Sequence, residues 1–136
     1  MITGGKITSV EAKREKEGQI KGLNINIGLD SVKVKSDEIE IGYTYTATYA
    51  DGIGTLKIVG TLNAKEDKKK AKEIEERWEK EKRLPDQFAE VVLNSINFTC
   101  GTNGTFVVRP VNLSPPMIPP KISVARGGGK TTAPAS

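Results

Sequence analysis

The sequence predicts an α+β fold, a four-stranded antiparallel sheet with two C-terminal helices packed at one face or edge. Three observations lead there. Apolar residues alternate strictly from Ile39 to Tyr49, with Asp51-Gly52 and a second alternating run behind them. Two further alternating stretches precede that pair, and two helically spaced segments follow it. Period two is the mark of a half-buried strand, and spacing of three or four that of a helix with one apolar face. A length of 136 residues suits one domain with a real core.

The first strand is expected at about Lys6 to Lys13, with a slip of phase between Ile7 and the Val10/Ala12 pair. The second, Lys21 to Lys35, places Leu23, Ile25, Ile27 and Leu29 on one face. Val32 and Val34 then fall on even positions, so an extra residue near Asp30-Ser31, a bulge or bend, must restore the face. The third and fourth strands, Glu38–Ala50 and Ile53–Ala64, form a hairpin about Asp51-Gly52, a pair suited to the positive φ angles of a two-residue turn. Folding there sets Ala47 against Leu56, Tyr45 against Ile58, Tyr43 against Gly60 and Ile41 against Leu62. Thr48 meets Thr55 and Thr46 meets Lys57 on the polar face. A large ring at Tyr43 can cover the bare backbone of Gly60.

Lys65 to Arg83 reads as an exposed helix with a narrow stripe of Ala71, Ile74 and Trp78. Lys69–Glu73, Lys72–Glu76, Glu76–Lys80 and Glu79–Arg83 are its opposite-charge pairs one turn apart. Leu84-Pro85 interrupts it, and a second helix begins with Phe88, Val91, Val92, Ser95 and Ile96 on one side. Gly101 and Gly104 are expected to stop that helix. Beyond Leu113, residues 114–124 read as a proline-rich extended arm and 125–136 as a disordered basic tail, so the folded domain is 1–113.

Composition narrows the chemistry. There is no histidine, which removes Ser-His-Asp and Cys-His catalysis and every His-containing zinc site. No pair of acids stands out from the charged background, so no enzymatic role, cofactor or metal is expected. One cysteine, Cys100, cannot build a disulfide framework, and Met1–Gly5 lacks a signal peptide's apolar stretch; a cytoplasmic protein without membrane insertion is expected. The net charge of +4 and pI near 9.2 are mildly basic, with much of the excess in Lys68-Lys69-Lys70 and the tail. Trp78 is the only aromatic in the charged run, so solvated surface charge is favoured over a nucleic-acid face.

The stretch from Leu84 to Leu113 bears most directly on function. A helix runs into Gly104-Thr105-Phe106 and then Pro110-Val111-Asn112-Leu113. That order resembles the C-terminal half of the SecB family of protein-export chaperones, and the four antiparallel strands with a tight hairpin between the third and fourth extend the resemblance over most of the chain. It implies an ATP-independent holdase for unfolded or pre-export polypeptides, assembled as a dimer of dimers. Phe106 and Leu113 match motif positions. Phe88 and Val92 match by location in the helix, and Val108 lies on the same arm; these five are the candidate polypeptide-binding residues. The alternative is a binding module dedicated to one partner, such as an antitoxin-linked SecB relative.

The chain departs from the family in three places. Glu15–Gln19 is short where the family has a long crossover loop. Three residues, Val107-Val108-Arg109, separate Phe106 from Pro110, and the surface is basic where the family is acidic. The last departure argues against a partnership with the motor ATPase SecA. Tyr43, Tyr45 and Tyr49 are expected to pack in the sheet core rather than line a groove, and Cys100 to be a small buried residue. Trp78 reads as an edge or subunit anchor.

Overall fold

The computed structural model describes residues 1–116 and 130–133. Strands β1 (Ile2–Arg14), β2 (Leu23–Lys35), β3 (Glu38–Tyr49) and β4 (Gly54–Lys65) precede helices α1 (Lys68–Glu81) and α2 (Asp86–Val108). A further strand, β5 (Lys130–Ala133), closes the order β1-β4-β3-β2-β5, antiparallel throughout.

The hairpin forms in the expected register. Ala47 faces Leu56, Tyr45 faces Ile58, Tyr43 faces Gly60 and Ile41 faces Leu62, with Thr48 against Thr55 on the other side. Asp51 and Gly52 take φ of 62° and 69°, and the Ile53 amide donates to the Ala50 carbonyl at 3.4 Å. Both phase slips are register shifts, one between Leu29 and Ser31 in β2 and one between Ile7 and Ser9 in β1. Each returns the apolar residues to the face that carries the core, because an extra residue reverses a period of two, although Val10 stays 47% exposed.

Helix α1 starts where the Asp67 side chain accepts from the Lys70 amide, and it buries Ala71 and Ile74 against β2. Trp78 is half-buried on the same stripe, with the Lys82 ammonium 5.6 Å from its ring centre. Its ion pair one turn apart is Arg77–Glu81 at 3.0 Å rather than the four pairs expected.

Helix α2 does not stop at the glycines. It runs through Gly101 and Gly104 to Val108, crossing the sheet with contacts to all of β1 to β4. Its buried residues recur every four positions, first in pairs (Phe88/Ala89, Val92/Leu93, Ile96/Asn97, Cys100/Gly101) and then as Gly104 and Val108. The stripe therefore winds about the helix, and Val91, expected inside, lies half exposed. At Gly104 the helix comes so close to the sheet that a β carbon would lie 2.8 Å from Leu56 Cδ2 and 3.0 Å from Pro116 Cγ. These glycines allow close packing instead of ending the helix.

The chain leaves α2 through a 3₁₀ turn at Arg109–Val111. Asn112 takes the left-handed conformation that turns Leu113 back into the core, and the Arg14 guanidinium donates to the Asn112 carbonyl at 2.6 Å. The Ser114 carbonyl accepts from the Tyr49 hydroxyl, and Pro116 is fully buried. Residues 114–116 are thus part of the folded unit, whereas the rest of the proline-rich arm lies outside the described residues. The tail, expected to be disordered, forms β5 at Lys130–Ala133. Lys-Thr-Thr-Ala has no pattern of its own that predicts a strand; the free edge of β2 supplies the partner.

Candidate polypeptide-binding surface

From Val91 to Val108 no residue is charged, in a chain with 28% charged residues. One side of this stretch covers the sheet. The other carries Val91, Ser95, Phe98, Thr102 and Phe106, spaced three or four residues apart and so aligned on one outward face. Phe98 is 73% and Phe106 65% exposed. The polar side chains nearby turn back on the helix: Asn94 donates to the Glu90 carbonyl, Asn103 to Thr99 and Thr105 to Gly101, each at 2.8 Å. Each thus has a donor satisfied within the helix, which lowers the cost of covering this face with another apolar surface.

Two clefts flank the helix. One, about 410 Å³, lies between α2 and the edge strand β1, lined by Ile2, Gly4, Ile7, Ser95, Ile96 and Thr99. The other, also about 410 Å³, opens between the helices over Ile74 and Phe88, with Met1 and Val91 among its lining. Its far wall is charged, with Glu66, Lys70 and Glu73. An uncharged helix face between two part-apolar clefts can hold an extended chain through contacts that tolerate many sequences.

The five residues selected from the sequence divide unevenly. Val92, Val108 and Leu113 are core residues, so the reading of their side chains as surface contacts is corrected: each is needed to join α2 and its C-terminal turn to the sheet. Phe88 is 8% exposed and forms part of the inter-helix cleft floor. Phe106 alone of the five faces outward. Phe98 and Val91 were missed because the expected end of the helix at Gly101 hid their alignment with Phe106.

Beneath this surface, burial raises the pKa of Tyr43, Tyr45, Tyr49 and Cys100 and so keeps them protonated. Cys100 donates to the Tyr43 hydroxyl at 3.8 Å, and its thiol is pushed up to about 12. A thiol so protonated and fully covered is inert at neutral pH. The three tyrosines are core, as their spacing implied.

No family model, curated protein or solved structure matches this chain. Among the described residues no helix is long and apolar enough to cross a membrane.

Proposed function

We propose that this chain is a nucleotide-independent holdase that binds extended, apolar stretches of non-native polypeptide, as the resemblance to SecB implies. The observation that supports it best is the uncharged outer face of α2, with Phe98 and Phe106 exposed beside the α2–β1 cleft. Large apolar side chains aligned on one uncharged helix face are a feature of surfaces that a partner covers. Such a binder acts by mass action on unfolded chains and needs no ATP.

The test is suppression of aggregation of several unrelated unfolded proteins, without nucleotide and at stoichiometric amounts. Broad protection by the wild type, lost in a folded Phe98→Asp/Phe106→Asp variant, is the expected result. No protection by the folded wild type would sink the reading and leave the dedicated-partner alternative. That alternative predicts tight binding of a single polypeptide.

A second use of the same face has its own support. Val91, Ser95, Phe98 and Thr102 follow the four-three-four spacing of a helix–helix seam, which favours pairing with a second copy. The assembly implied by the resemblance, a dimer of dimers, would draw on such a seam. Sedimentation separates the two uses: a Phe98→Asp protein that becomes monomeric yet still protects clients assigns the seam to assembly.

A further inference from the structure

The two edges of the sheet differ. The outer edge of β1 is interrupted by register shifts between Ile2 and Gly4 and between Ile7 and Ser9, and it carries Lys6, Lys13 and Arg14. Bulges and basic side chains are how sheets make an edge a poor template. The outer edge of β2 is regular from Leu23 to Leu29, where its bulge begins. It already holds an added strand. Lys130–Ala133 pairs antiparallel with it, Lys130 opposite Asn26, Thr131 opposite Ile25, Thr132 opposite Asn24 and Ala133 opposite Leu23.

We propose that the outer edge of β2 is a strand-binding site for extended polypeptide, and that Lys130–Ala133 is its resident occupant, displaced when a client strand binds. This rests on the holdase reading and names a second place where a client is held. A strand of 4 residues forms few ladder hydrogen bonds, and among the described residues Ile27–Leu29 have no partner on that side. A client pairing along the whole of Leu23–Leu29 forms more of them and so outcompetes the tail, despite the advantage that tethering gives the tail. Main-chain pairing is indifferent to side-chain identity, as a general holdase requires. The resident strand also keeps the edge from pairing with another folded copy when no client is present.

The full-length Asn24→Cys/Thr132→Cys protein tests this, because directly opposed residues on antiparallel strands lie within disulfide reach. Cys100 is buried and does not compete. Binding of reduced, carboxymethylated α-lactalbumin, a permanently unfolded chain, is measured before and after reduction of the same sample. The expected result is that the oxidised protein binds at least about tenfold more weakly than the reduced one. A second full-length variant, Thr131→Pro/Thr132→Pro, removes two of the tail strand's backbone donors and is expected to bind about threefold or more tighter than wild type. Equal binding by oxidised and reduced forms overturns the edge site while leaving the holdase reading in place. No binding by any form overturns both. A disulfide that does not form, with unchanged binding by the proline variant, overturns the resident strand and the edge site with it.

Discussion

The ring of Tyr43 lies directly over Gly60. A β carbon on Gly60 would come within 2.7 Å of the Tyr43 hydroxyl and 2.9 Å of Cζ, and within 2.5 Å of the Lys6 carbonyl of the neighbouring strand. The pair joins three elements, because the same hydroxyl receives the Cys100 thiol from α2. Gly60→Ala is therefore expected to destabilise the fold by about 1–3 kcal/mol, the usual cost of overfilling a packed site. Urea unfolding followed by Trp78 fluorescence measures it. Shrinking the ring with Tyr43→Leu relieves only part of that cost, since the carbonyl of Lys6 stays in place. An unchanged midpoint for Gly60→Ala would mean that ring and strand are not in this contact.

The glycines of α2 invite an ordering test. On an exposed helix, Gly→Ala stabilises by about 1 kcal/mol. At Gly104 the new methyl meets Leu56 and Pro116 inside 3.1 Å, whereas at Gly101 the nearest atom is the Pro116 carbonyl at 3.3 Å. Gly104→Ala is expected to lose about 1–2 kcal/mol net, because overpacking outweighs propensity. Gly101→Ala should stay within about 1 kcal/mol of wild type, since propensity offsets its mild crowding. Thermal unfolding of both variants checks the order. The reverse order would mean that α2 stands further from the sheet.

These glycines also mark where the sequence ceased to be legible. The hairpin register and both bulges could be read, because a period of two leaves no choice once one face is buried. Tyr43 over Gly60 followed from that register. The end of α2 could not be read, since a glycine that ends a helix and one that lets it touch a sheet look alike until the sheet is in place. That error moved Phe106 off the helix and hid Phe98. It also led to Val108 being taken for surface, whereas Val92 was chosen by the resemblance alone. β5 was illegible for another reason: its partner is more than a hundred residues away, and nothing in Lys-Thr-Thr-Ala announces it.

Alkaline pH should act on the core as a unit. Burial pushes the Tyr49 phenol up to about 12 and the Cys100 thiol likewise, and raises Tyr43 and Tyr45 as well. In the unfolded chain a cysteine ionises near about 8.5 and a tyrosine near about 10. The unfolded state thus holds fewer protons in that range, and stability falls as pH rises. The contribution is complete below about 8.5 and is lost as pH climbs to about 12. All three tyrosines of the chain are buried, so phenolate absorbance and far-ultraviolet circular dichroism should change together in one step. A smooth phenolate titration centred near about 10 in a still-folded protein would contradict the burial.

The α2 face separates binding from stability by paired substitutions one turn apart. Val92 and Ile96 are fully buried, while Val91 and Phe98 on the opposite side are half exposed or more. Val92→Ala removes two buried methyl groups and should cost about 1–3 kcal/mol, read as a lower urea midpoint. Phe98→Asp removes no core contact, and its stability should lie within about 0.5 kcal/mol of wild type. Its effect belongs to whatever covers the face. A carboxylate there must be desolvated when a client or a second copy docks, so client binding, self-association or both should drop by about tenfold or more. Phe106→Asp, two turns further along, should behave alike. If both variants bind clients and sediment as the wild type does, this face is ordinary surface and the clefts or the β2 edge must carry binding alone. If instead they unfold, α2 turns its phenylalanines inward, and the same urea series would place Phe98 among the core residues beside Val92.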